Sequence, residues 1–66
     1  MKLSVNGKPV ELDRPTPLVD YLRGLGIDPR AVAVEVNERI VERKDFETTN
    51  LDEGDVVEIV RMVGGG

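Results

Sequence analysis

Apolar and polar positions alternate along most of the chain and take a helical spacing only once, near residue 20. Leu3 and Val5 alternate with polar neighbours in Lys2–Asn6, and Val10 and Leu12 do so in Pro9–Leu12, the period of two expected of half-buried strands. Asn6-Gly7 lies between them. Both residue types tolerate the positive φ of a type I′ turn, so the segment predicts a β-hairpin. Arg14-Pro15-Thr16-Pro17 interrupts the alternation. Thr16 is suited to cap a helix, and Pro17 to take its first position, where a missing N–H costs nothing. Leu18, Leu22 and Leu25 then follow at i, i+4 and i+7 with Val19 beside them, which gives one apolar helical face. Arg23 suits the last turn, and Gly24 or Gly26 supplies the left-handed residue that stops the helix. A helix of about two turns draws its stability from packing on a sheet rather than from propensity.

Asp28-Pro29 marks a turn into Ala31–Val36, where Val32, Val34 and Val36 share one face. Asn37-Glu38, or Asn37-Glu38-Arg39, reverses the chain into a short Ile40-Val41 strand. Glu42 to Asn50 is polar apart from Phe46 and reads as a surface connection holding one turn of 3₁₀ helix, with Phe46 plugging the edge of the core. Leu51-Asp52-Glu53-Gly54-Asp55 is a tight turn that launches the last strand, Val56 to Val63. The element order places one helix across one face of a mixed four- to five-stranded sheet, with the first and last strands adjacent and central. The fold class is therefore α+β and the fold implied is a β-grasp. Residues 1–63 make one domain, and Gly64–Gly66 form a flexible glycine tail.

Composition narrows the chemistry. Eleven valines and three isoleucines against one Phe and one Tyr agree with strands as the main element. A 66-residue chain buries a small core, without disulfides to reinforce it, and a cofactor pocket inside it is not expected. With no Cys and no His there is no thiolate nucleophile, no imidazole base and none of the usual structural zinc sets. No catalytic residue and no metal ligand set is expected, and the chain does not read as an enzyme. Gly24-Leu25-Gly26 lacks the strand before and the helix after that a phosphate loop needs. Asp52-Glu53-Gly54-Asp55 gathers carboxylates without the ligand spacing of a calcium loop and reads as a solvated turn. The net charge of −4 disfavours nucleic acid. It suits either an acidic carrier meeting an electropositive cleft or solubility alone. No apolar run approaches the ~20 residues that span a bilayer, and the N-terminus lacks a signal-peptide stretch, so neither a membrane nor export is expected and the location reads as cytoplasmic.

The last strand and the tail carry the strongest functional signal. Val57 and Ile59 fix its inward parity, which turns Val56, Val60 and Met62 to the face away from the helix. Apolar residues there are either scattered surface valines or a docking surface for which Met supplies an adaptable contact. Docking is the expectation for Val60, Met62 and the adjacent Val63, which lead into the tail. Three glycines after a strand read either as an idle tail or as a mobile, extended arm. Such an arm would carry a carboxylate about 10 Å beyond the domain at ~3.5 Å per residue, through a channel too narrow for any Cβ.

The opening hairpin VNGKPVEL, the helix from Leu18 to Leu25, the segment AVAVEVNERIVERKDF, the turn LDEGDVVEIV and the closing Gly65-Gly66 resemble the ThiS family of sulfur-carrier proteins, within the ubiquitin-like β-grasp group. The resemblance covers the whole chain and rests on the pairing of VNERIVER with a terminal diglycine. Gly64 departs from relatives that often carry a residue such as Ala there. The resemblance implies that a ThiF-like enzyme uses ATP to adenylate the Gly66 carboxylate, with no cofactor bound by the chain itself. Sulfur from a persulfide donor, derived from cysteine by a desulfurase, then makes a thiocarboxylate that a ThiG-like thiazole synthase consumes in thiamine biosynthesis. Gly64 and Gly65 provide reach. A carboxylate with a pKa near ~3.5 is an anion at neutral pH and a poor electrophile, so activation is needed. The same tail chemistry fits a MoaD-like carrier for molybdopterin or transfer-RNA thiolation, and a TGS-type β-grasp binding module shares the fold without needing the tail. Lacking cysteine, such a carrier would hold its sulfur on the main chain.

Overall fold

The first hairpin joins β1 (Lys2–Val5) to β2 (Lys8–Glu11) through the expected two-residue turn, in the computed structural model, which describes residues 1–62. Leu3 faces Val10 and Val5 faces Lys8 across the antiparallel pair. Asn6 and Gly7 have φ of 51° and 79°, the left-handed backbone a type I′ loop requires and that these two residues reach most easily.

The entry to the helix differs from the expectation. Thr16 does not cap it: the Thr16 hydroxyl donates to the Arg14 carbonyl at 2.9 Å. Thr16–Pro17 instead forms a two-residue strand, β3, and Pro17 flanks the helix α1 (Leu18–Gly24) rather than opening it. The first N–H groups of α1 find main-chain acceptors in the connection near residue 47. Leu18 N–H donates to Thr49 O at 2.7 Å and Val19 N–H to Phe46 O at 3.1 Å. Donors that a side-chain cap would satisfy are thus used to tether a loop. The C-terminal stop is Gly26, at φ 78°. Its N–H donates to Arg23 O and that of Ile27 to Leu22 O, each at 2.9 Å, the paired bonds of a Schellman ending. Because the helix closes there, Leu25 lies outside the packed face and is exposed, contrary to the spacing argument; Leu18, Val19 and Leu22 are the buried residues.

A 3₁₀ turn at Pro29–Ala31, capped by the Asp28 side chain, leads into β4 (Val32–Val36). Asn37 and Glu38, at φ 53° and 69°, reverse the chain into β5 (Arg39–Val41). A second 3₁₀ turn, Arg43–Asp45, lies in the connection as expected. Then β6 (Asn50–Leu51) pairs with β3 in a small separate sheet that the sequence pattern did not announce. The last strand, β7 (Val56–Arg61), runs parallel to β1 and antiparallel to β4. The main sheet has the order β2-β1-β7-β4-β5, a β-grasp with the first and last strands adjacent and β7 at the centre.

Leu3, Leu18, Val19, Leu22, Val32, Val34, Phe46, Leu51 and Val57 form the core between sheet and helix. Phe46 is buried from the connection side, in the position expected of a plug. The Asp52–Asp55 turn is bound by its own carboxylates: Asp55 accepts the Asp52 N–H at 2.7 Å and the Asn37 Nδ2 at 2.9 Å, while Glu53 accepts the Lys2 N–H at 3.0 Å. These acids hold a turn against β1 and the second hairpin. Among the described residues no helix is long and apolar enough to cross a membrane.

Candidate functional site

Strand alternation decides what β7 shows to solvent. Val57 is fully buried and Ile59 partly so, while Val60 and Met62 are 61% and 49% exposed on the opposite face, as the parity of the strand predicts. Val56 joins them at the start of the strand, 50% exposed and opposite Ser4 of β1. Met62 lies past the strand but keeps the β4 ladder going, its N–H donating to Ala31 O at 2.9 Å. The apolar row is thus held on a paired backbone up to the last described residue. Val63, Gly64, Gly65 and Gly66, singled out from the sequence, lie outside the described residues.

Pairing across the sheet adds residues that the sequence reading passed over. Val60 faces Ala33 and Glu58 faces Glu35 on β4, and Glu35 in turn faces Ile40 on β5. Ile40 is 77% exposed. Together these side chains border a shallow hollow of about 120 Å³ on the face away from α1. Part of the signal was present: burying Val32, Val34 and Val36 turns Ala33 and Glu35 outward, whereas the Glu35–Ile40 register depends on the turn at Asn37-Glu38 having two residues, which the structure supplies.

A wider open depression of about 640 Å³ lies beyond the helix stop, lined by Arg23, Gly26, Ile27, Asp28, Pro29 and Arg30. Its charges are partly spoken for. Asp28 accepts the Arg30 N–H at 2.9 Å and Nε at 3.2 Å, and its second oxygen lies 3.2 Å from Nη2. Hydrogen bonds from the Arg30 side chain and main chain hold the Asp28 carboxyl below its ordinary pKa, and the side-chain hydrogen bond to Asp28 together with its charge raises that of the guanidinium. This pair organises the 3₁₀ turn rather than awaiting a ligand.

A model of the ThiS family matches residues 3–66. The chain belongs to the ThiS family. Within that family it is 35% identical over 65 residues to the sulfur carrier protein ThiS of Bacillus subtilis, covering 97% of this chain and 98% of the other. It is also 41% identical over 66 residues to the thiazole synthase of Magnetococcus marinus and 38% identical to that of Paramagnetospirillum magneticum. The chain spans about a fifth of the length of these two synthases. The crystal structure of the thiamine biosynthesis protein ThiS from Geobacter metallireducens has the same fold, with a TM-score of 0.86 and 36% identity over the whole of both chains. The ubiquitin-like β-grasp of the ThiS family is therefore the fold seen here, and the family match runs through the glycines at 64–66.

Proposed function

We propose that this chain, a ThiS-family sulfur carrier of thiamine biosynthesis, carries its sulfur as a thiocarboxylate on Gly66. Residues 1–63 serve as the docking domain and Gly64–Gly66 as the arm that enters partner active sites. The observation that carries this reading is the exposed row of Val60 and Met62 on the central strand leading into a run of glycines.

The chemistry follows from the weakness of a carboxylate as an electrophile. Gly66 must present a free α-carboxylate, whose oxygen attacks the α-phosphorus of ATP on a ThiF-like enzyme and displaces pyrophosphate. In the acyl adenylate the leaving group is AMP. Sulfur from a persulfide donor, supplied by a cysteine desulfurase, adds to the acyl carbon and expels AMP, and reduction of the S–S bond by a thiol leaves the thiocarboxylate. Glycine suits the position because nothing on Cα shields the carbonyl carbon. A ThiG-like thiazole synthase then takes the sulfur, and the thiazole synthase relatives support that choice of acceptor. The chain itself binds no cofactor and acts in the cytoplasm as a co-substrate.

Incubation with a ThiF-like enzyme and ATP tests the reading. Pyrophosphate release should depend on the chain and vanish when Gly66 is deleted, with the thermal midpoint unchanged. Equal release from the deleted chain would overturn it.

A further inference from the structure

On the sheet face opposite α1, Glu35 of β4 stands directly across from Glu58 of β7. Both belong to the outward set, since Val34, Val36, Val57 and Ile59 take the inward positions. Facing residues on neighbouring strands hold their Cβ atoms about 5 Å apart, close enough for like charges to cost stability. No cation of the fold relieves them: among the described residues the ion pairs are Arg30–Asp28 and Lys44–Glu42. The carboxylates share their surroundings with exposed apolar groups. Ile40 flanks Glu35, and Val60 lies one outward position beyond Glu58. The hollow they border, about 120 Å³, is far below the ~300–1,000 Å³ of small-molecule sites. It has room for one side chain.

We propose that this hollow seats an arginine side chain of the thiazole synthase that the carrier serves. Ile40, Val60 and Ala33 receive the aliphatic stem, and the planar guanidinium, with five donors in a fixed fork, bonds the carboxylates of Glu35 and Glu58 together. Charge complementarity selects the occupant: two unpaired carboxylates repel any anionic ligand, and an apolar rim disfavours a free cation. The identity of the partner rests on the sulfur-carrier reading. A fold that tolerates facing carboxylates on its central strands gives up stability that docking recovers.

The test measures binding of the chain to the thiazole synthase of the same organism at low and high salt, beside the thermal midpoint of each variant. Glu35→Gln/Glu58→Gln should weaken binding about tenfold or more and flatten its salt dependence, with a thermal midpoint equal to or above that of the parent chain. Ile40→Ala, which removes a wall and leaves both charges, should weaken binding as well. Gain of stability with loss of binding is a combination that a merely structural role does not produce. A double variant that binds within about twofold of the parent chain overturns the proposal, as does one that loses binding only to the adenylating enzyme. Sulfur loading of the parent chain is followed in parallel. If it loads and binds while the variant binds equally well, the arginine seat alone fails; if it loads without binding the synthase, the seat fails too. If it neither loads nor binds, the carrier reading fails with it.

Discussion

The side-chain amide of Asn6 pairs with the main chain of Ile59, accepting its N–H at Oδ1 over 2.7 Å and donating from Nδ2 to its carbonyl over 3.2 Å. The Asn6 N–H also donates to Val57 O at 2.8 Å. A turn residue thereby extends the parallel β1–β7 ladder beyond the end of β1. Asn37 does the same on the other side of β7: its N–H donates to Val56 O at 2.8 Å and its Oδ1 accepts the Val56 N–H at 2.9 Å. Two hairpin turns, each with an asparagine at positive φ, thus hold the strand that presents Val60 and Met62.

Replacing Asn6 tests that bracing. Asn6→Ala loses both side-chain bonds and puts a Cβ-bearing residue without local hydrogen bonding at φ 51°, for an expected loss of about 2–3 kcal/mol in urea unfolding. Asn6→Gly keeps the backbone and loses only the bonds, so its midpoint should fall between the two. Equal midpoints for Ala and the parent chain would remove the bracing role.

Among the described residues, Glu38 is the non-glycine least suited to its backbone, at φ 69° and exposed in the second hairpin. Glu38→Gly should relieve a left-handed strain of about 1–2 kcal/mol, offset in part by the entropy of a freer unfolded chain. A net gain of up to about 1 kcal/mol is expected, read as a rise in the urea midpoint.

Phe46 reaches the core from the connection and shares the tether at the helix entry through its carbonyl. Phe46→Ala should cost about 3–5 kcal/mol. A domain of this size has roughly 3–10 kcal/mol in all, so the variant is expected to be partly unfolded at room temperature by circular dichroism. Phe46→Leu should retain the fold.

Asp28 supplies the pH dependence. Its carboxyl is held low mainly by the side-chain hydrogen bond from Arg30. A depressed folded-state value means that its contribution is complete above the unfolded value of ~3.9 and is lost as pH falls through the lower folded value. In carboxyl-carbon NMR Asp28 should titrate below an ordinary aspartate, and Arg30→Ala should return it upward. Since the pair is exposed, its effect on global stability is expected to be small.

Local chemistry made much of this structure legible from the sequence. Asn6-Gly7 announced its turn because positive φ is demanded of few residue types, whereas at Asn37 the chain reversal was legible but not whether it took two residues or three, and the valine alternation in β4 and β7 assigned faces without any knowledge of partners. Failures fell where distant groups decided the outcome. Thr16 looks like a helix cap, yet the acceptors for the first N–H groups come from Phe46 and Thr49, some thirty residues away. Leu25 fits the helical period but is the cap residue just past Gly24, where the turn set by Gly26 closes the helix. Val60 and Met62 were readable from parity, whereas Ile40 and the Glu35–Glu58 pair needed the register between three strands.

The central claim, that sulfur resides on the main-chain carboxylate of Gly66, is read most directly by intact-mass spectrometry after incubation with a ThiF-like enzyme, ATP and a persulfide sulfur source. A mass gain equal to one oxygen-to-sulfur exchange is expected, localised to the peptide that carries Gly66 and absent when ATP is withheld. An unmodified chain in the complete mixture, or the same gain found on a peptide that excludes Gly66, would contradict it.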